Sequence, residues 1–174
     1  MAGVGSIRTF LVCAGVLFAA QSSPAQLKVG VINLQRAVLE SDDIQKASAA
    51  LEAKYRPRQQ EVEKLQRDIQ SIQQQLQTGS GKLTPQAEAD LTAQGQRKQR
   101  ELQRTGEDLQ ADVERERNEI LGKATQRMHD VVQKLADEKS LDMVVDTSSV
   151  LVFKPALEIT NDALAAYNKA HPAK

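Results

Sequence analysis

The residues able to do chemistry are few, and they do not converge. His129 and His171 are the two histidines. One falls in a helical stretch and the other in a polar tail, and neither has the ligand spacing of a zinc site. Asp142, Asp146, Ser148 and Ser149 crowd one segment, but they form no nucleophile motif, and turn chemistry accounts for them. No glycine-rich phosphate loop is present. Cys13, the single cysteine, lies in the apolar leader, so the mature chain is expected to have no thiol, disulfide or cysteine metal ligand. The expectation is a protein that is not an enzyme, with no catalytic residue, cofactor or metal.

Charge is the chemistry that remains. Residues 54–104 hold ten basic and six acidic side chains, and residues 105–174 hold nine and thirteen. The first stretch is therefore relatively basic and the second relatively acidic. Lys64, Arg67, Lys82, Arg97, Lys98, Arg100 and Arg104 are the expected contributors. Such a field would draw in acidic partners or anionic membrane surfaces without a fixed binding site. Nucleic acid is a poor candidate, because the chain without its leader has 22 basic and 23 acidic residues where a nucleic-acid binder shows a basic excess.

The elements that would carry these residues follow from periodicity. Arg8, the apolar run from Phe10 to Ala20 and Ser23-Pro24-Ala25 read as a signal peptide over residues 1–25, cleaved before Gln26. LKVGVIN, residues 27–33, alternates as a short strand, and Asn33 is a natural N-cap. Residues 34–78 then place apolar side chains at heptad positions, including Leu34, Ile44, Leu51, Tyr55, Val62, Leu65, Ile69, Ile72 and Leu76. That spacing predicts one continuous helix of roughly 67 Å.

Gly79-Ser80-Gly81 reverses the chain, and Thr84-Pro85 starts a second helix. This return run repeats every eleven residues, through Leu91, Leu102, Val113, Ala124 and Leu135, and should be straighter than a heptad arm. LDMVVD (141–146) and VLVF (150–153) read as a β-hairpin across Asp146-Thr147-Ser148-Ser149, and Thr160 as the cap of a short terminal helix.

The fold expected is α+β: a long antiparallel helical hairpin on a small β-sheet body completed by oligomerisation. Residues 26–33 and 140–174 make the body, and 34–139 the arm, with its tip at 79–84. Val29, Val31, Val144, Val145, Leu151 and Val152 need a cover that so small a body does not supply, so subunits are expected to join there. With the hairpin axis taken near residue 81.5, Pro57 faces Gly106. Two weak helical positions at one height would make a hinge in the arm.

KVGVINLQRAV (28–38), EKLQRDIQSIQQQLQ (63–77), LDMVVDTSSVLVF (141–153) and LEITNDALAAY (157–167), in that order, resemble the Skp/OmpH family of periplasmic chaperones. The resemblance covers essentially the whole mature chain. Its specific part is the combination of N-terminal strand, LD-hydrophobic-VVD segment and terminal helix; the arm stretch could belong to any glutamine-rich coiled coil. It implies a periplasmic homotrimer with a β-sheet body and three helical arms around a cavity. It also implies ATP-independent holding of unfolded outer-membrane β-barrel proteins, and contacts with lipopolysaccharide have been proposed for such proteins. The reading set against it is a structural or adaptor coiled coil of the cell envelope. The strands favour the chaperone, since an adaptor hairpin usually sits between domains with larger cores.

Overall fold

The structure, a computed structural model, describes residues 27–173; the expected leader lies outside the described residues. Strand β1 (Val29–Ile32) leads into a short helix, α1 (Leu34–Leu39), and then into the outbound arm, α2 (Asp42–Thr78). The chain returns along α3 (Pro85–Glu138) to strand β2 (Met143–Asp146). Two 3-10 turns, Thr147–Ser149 and Pro155–Leu157, lead to the terminal helix α4 (Thr160–Ala170). At ~1.5 Å per residue, α2 runs about 55 Å and α3 about 80 Å.

Helix ends fall where side chains can satisfy orphan backbone groups. Asn33 accepts the Arg36 N–H at 2.8 Å to start α1, and Thr84 accepts the Ala87 N–H at 3.2 Å to start α3, with Pro85 in its first turn. At the tip, Lys82 and Leu83 donate to the Gly79 carbonyl, and Gly81 takes a φ of +76°, a conformation that suits glycine. Helix α3 ends with Ser140 at φ 52° and the Leu141 N–H on the Ala136 carbonyl at 2.8 Å, a left-handed closure of the Schellman type.

The base rests on a parallel pair. Val29, Gly30, Val31 and Ile32 of β1 lie opposite Met143, Val144, Val145 and Asp146 of β2. A parallel pair needs a long crossover, and here the crossover is the whole helical hairpin. On the other side of β1, Val31 bridges Glu158, and the Ile159 N–H reaches the Val31 carbonyl at 2.9 Å. Gly30 is closely covered: an added Cβ would stand 2.9 Å from Leu141 Cδ1 and 3.1 Å from Ile159 Cδ1, and those side-chain ends would have to shift.

Four expectations are corrected. The β-hairpin does not form: residues 150–153 are not a strand, and Leu151 is fully exposed. The Asp146 carboxylate accepts the Ser148 N–H at 2.8 Å and the Leu34 N–H at 3.1 Å, so the chain turns in toward α1 instead of folding back on β2. Residues 34–78 are two helices, because Ser41 is extended (φ −67°, ψ 143°), with its hydroxyl on the Val38 carbonyl at 2.7 Å. Thr160 is inside α4; its buried hydroxyl instead accepts the Asn33 N–H at 2.9 Å. Val31 needs no outside cover, being only 2% exposed within its own subunit.

One apolar cluster holds the base together. Ile32, Ala37, Val38 and Ile44 meet Ala124, Met128, Val131 and Leu135 of α3, and Ile159, Ala163 and Tyr167 close the far side. Tyr167 is fully buried, with its hydroxyl donating to Asp43 at the start of α2, at 2.9 Å. Burial, aided by that bond, pushes the phenol up to about 12. The neutral form is the one the fold favours, so this contribution is complete below pH 10 and fades as pH climbs toward 12. Asn168 accepts the Asp42 N–H, and Arg36 donates to Glu158 and Asn161. Helix α4 is thus a clasp on the root of the arm.

Tyr167→Phe keeps the packing and removes one bond to a carboxylate, so thermal or urea unfolding should register a loss of about 1–3 kcal/mol. An unchanged midpoint would remove the clasp from the account.

Candidate functional site

The arm is a thin shaft, and its surface is the candidate site. Tyr55, Leu65, Ile69 and Ile72 of α2 are buried in the seam. On α3, Leu91, Leu102, Leu109, Val113 and Ile120 are half-buried, while Ala124, Val131 and Leu135 are buried, so both expected spacings face inward. Gly95 lies against the facing helix: a Cβ there would meet Ile72 in van der Waals contact at 3.4 Å. The exposed remainder of the shaft is mostly polar, with alanines and two prolines among it. Among the described residues, no large apolar side chain is exposed between Leu39 and Met143.

Arg58 interrupts the apolar stripe, and the arm's strongest polar brace forms there. Arg58 Nη1 meets Asp112 Oδ2 at 2.6 Å, and Arg115 holds the other oxygen at 2.6 Å. One turn nearer the base, Lys54 Nζ and the Tyr55 hydroxyl both donate to Glu116, at 2.6 and 2.9 Å. The Lys54 and Arg58 cations lie 5.3 and 5.8 Å from the Tyr55 ring centroid, within cation–π range. Hydrogen bonds from Arg58 and then Arg115 hold Asp112 below its ordinary 3.8, and bonds from Lys54 and then Tyr55 hold Glu116 below its ordinary 4.5.

This brace fixes the register and corrects the expected hinge. With Lys54 opposite Glu116 and Arg58 opposite Asp112, Pro57 lies level with Val113. Gly106 sits seven residues before Val113 in α3, about 10 Å nearer the tip, so the two weak positions do not share a height. Pro57 itself is exposed inside an unbroken α2. It leaves the Ala53 carbonyl without its helical partner, but Ala53 is exposed too and open to water, and cross-arm bonds grip residues on both sides.

The cations expected to act together differ in their circumstances. Lys98 is half-buried and bridges to Asp68 across the arm at 3.3 Å, so it serves as a second brace. Arg67 and Arg104 are exposed and make loose pairs along their own helices, with Glu63 at 3.7 Å and Asp108 at 3.9 Å. Lys64, Lys82, Arg97 and Arg100 are exposed, and none has a carboxylate within 4.0 Å among the described residues. What reading by charge alone missed was the brace: Tyr55 was legible only as a seam residue, and Asp112 and Glu116 carried no signal until the register was known.

His129 is exposed, and His171 lies against the Tyr167 ring, with centroids 4.9 Å apart. Among the described residues, no helix is long and apolar enough to cross a membrane, and no group of side chains is arranged to hold a metal. A polar two-helix shaft on a small mixed base, with some charged groups bracing the arm and others unpaired on its surface, has the form of a scaffold and not of an enclosed site.

Comparison with known proteins places that scaffold. Residues 28–167 match the family described as Outer membrane protein (OmpH-like), and the chain belongs to that family, the Skp/OmpH proteins. It is 24% identical over 160 residues to a Skp-like protein of Pseudomonas aeruginosa, covering 92% of this chain and 95% of that one. It is 28% identical over 146 residues to the chaperone protein Skp of Salmonella typhimurium, covering 83% and 88%. The crystal structure of an OmpH-like outer membrane chaperone from Caulobacter crescentus CB15 shares the fold, with a TM-score of 0.70 at 21% identity over 91% of this chain and 94% of that one. Skp-family proteins are periplasmic chaperones, not enzymes.

The brace makes the arm sensitive to acid. Both carboxylates titrate lower in the folded arm than in an unfolded chain, so their contribution is complete above about pH 5 and is lost as pH falls through the folded values. Hydrogen exchange around Tyr55 should therefore quicken from pH 5 to pH 3 beyond its intrinsic pH dependence. Asp112→Asn with Glu116→Gln should start less protected at pH 7 and lose that extra pH dependence; a wild-type response in the double variant would show that the brace is idle.

Proposed function

We propose that the chain is an exported periplasmic holdase that works as a homotrimer. It binds unfolded outer-membrane β-barrel proteins between its arms and keeps them from aggregating, without ATP. The observation that carries this reading is the arm: 37 residues of α2 and 54 of α3 build a shaft that encloses little and presents much. Relatives named chaperone protein Skp and the signal peptide read at residues 1–25 support it. The unpaired cations, Lys64, Lys82, Arg97 and Arg100, with the loosely paired Arg67 and Arg104, supply a field for acidic segments of a client. An anionic membrane surface or lipopolysaccharide is a secondary partner on the same chemistry, and nucleic acid is not one.

Residues 26–33 and 140–174 act as the oligomerisation body and residues 34–139 as the arm. Leu151 is fully exposed and Val152 is 84% exposed, while Val29, Val144 and Val145 are half-buried. Among the described residues, the outer edge of β2 pairs with no other strand. Beside it, Leu34, Val38, Leu39 and Leu121 line a groove with Asp146 and Ser148. Bare apolar side chains and an open strand edge are features that association removes.

The mature chain should keep an outer-membrane β-barrel soluble on dilution from urea, with no nucleotide present; an adaptor coiled coil would leave it to aggregate. Reversal of Lys64, Arg67, Arg97 and Arg100 to Glu should weaken capture at low salt by about tenfold, with the gap narrowing as salt rises. Unchanged affinity at low salt would refute the field.

Leu151→Asp with Val152→Asp should convert the native mass of the mature chain from a trimer to a monomer while leaving arm helicity intact. A trimer that survives both charges would place the interface elsewhere.

A further inference from the structure

Between Gln59 and Gln110 the arm carries fourteen of the chain's twenty glutamines, and all fourteen are exposed. Four have side-chain partners: Gln75, Gln86, Gln103 and Gln110 each donate to a residue four positions away on the same helix. The other ten make no side-chain hydrogen bond among the described residues. Gln70, Gln74 and Gln77 follow at helical spacing along α2, and Gln96 and Gln99 along α3, so each set shares a face of its helix. The proximity of Gly95 to Ile72 puts Gln70 and Gln96 at about the same height of the arm, with Gln74 and Gln77 nearer the tip and Gln99 nearer the base.

We infer that these free amides are a contact surface for the backbone of an unfolded polypeptide. This rests on the holdase reading and names the chemistry by which the arm holds its client. A glutamine amide has two donors and a carbonyl acceptor, the same groups as a peptide unit. An unfolded chain offers unpaired backbone N–H and C=O groups whatever its sequence. Over this stretch the large apolar side chains are buried or half-buried in the seam, so apolar burial on the arm surface supplies only part of the adhesion. Its cations recognise only acidic segments and weaken with salt. Each amide contact in water is worth little, but many on one shaft act together through effective concentration. Weak contacts at many positions hold a chain without selecting one conformation of it.

The test replaces Gln70, Gln74, Gln77, Gln96 and Gln99 by Ala, which is a better helix former. The chain has no tryptophan, so the tryptophan fluorescence of a urea-diluted outer-membrane β-barrel reports its capture. The five-fold variant should bind about tenfold more weakly, equivalent to roughly 1.4 kcal/mol, with the same loss at low and high salt. Wild-type affinity in the variant, or a loss that disappears at high salt, would overturn the inference. Failure of the unmodified chain to capture the client at all would instead overturn the holdase reading. A second arm uses only the unmodified chain, with an uncharged unfolded peptide and its backbone N-methylated counterpart. The N-methylated peptide should bind at least several-fold more weakly; equal binding would overturn the inference whatever the fate of the variant.

Discussion

The structure depends on the parallel pairing of β1 with β2. Two parallel neighbours cannot be joined by a tight turn, because the chain must travel back to the starting end before the second strand begins. Most proteins make that journey with one helix packed on the sheet. Here the journey is an out-and-back excursion from Asp42 to Glu138, which leaves the base and returns to it. The arm is therefore not an insertion in a loop but the crossover itself. Its two roots are held in register because the strands they connect are hydrogen-bonded to each other.

That constraint concentrates the rigid part of the molecule at one end. The apolar cluster from Ile32 to Tyr167 lies where α1, the last turns of α3 and α4 converge, and the clasp of Tyr167 on Asp43 ties the terminal helix to the first turn of the outbound arm. Farther out the seam thins to one side chain per turn. There the braces of Arg58 with Asp112 and Lys98 with Asp68 take over the task of keeping the helices in register. Exposed ion pairs contribute little to stability, but they discriminate between registers, since a slip by one turn would break each of them. A shaft built this way leaves nearly all its length as surface, which suits a protein whose work is contact.

The long helices were legible because their signals are periodic and local. Tyr55, Leu65, Ile69 and Ile72 stood at heptad spacing, Leu91, Leu102 and Val113 at eleven, and both sets face the seam. The tip was legible from Gly79, Gly81, Thr84 and Pro85. What failed was what depended on distant partners. The break at Ser41 had a trace in the sequence, a serine at a heptad position, but its cause is a buried hydroxyl turned onto Val38. Residues 150–153 look like a strand by composition, yet Asp146 accepts the Ser148 and Leu34 N–H groups and turns the chain toward α1 before it can fold back on β2. The pairing of Pro57 with Gly106 assumed a symmetric turn, and the cross-arm bonds of Lys54 with Glu116 and Arg58 with Asp112 set a register offset from it by two helical turns. Site residues chosen by charge alone mixed a brace, Lys98, with unpaired cations such as Arg97.

If the arm surface is the working part, an unfolded client must lie along it and not against the base. Site-specific photo-crosslinking tests this most directly, with a benzophenone side chain placed singly at Gln74, Gln99, Lys123 or Lys134 of the mature chain holding a urea-diluted outer-membrane β-barrel. The account predicts strong client adducts from positions 74 and 99 and weak ones from 123 and 134. Adducts confined to positions 123 and 134 would contradict it, moving the site from the outer arm to its root at the base.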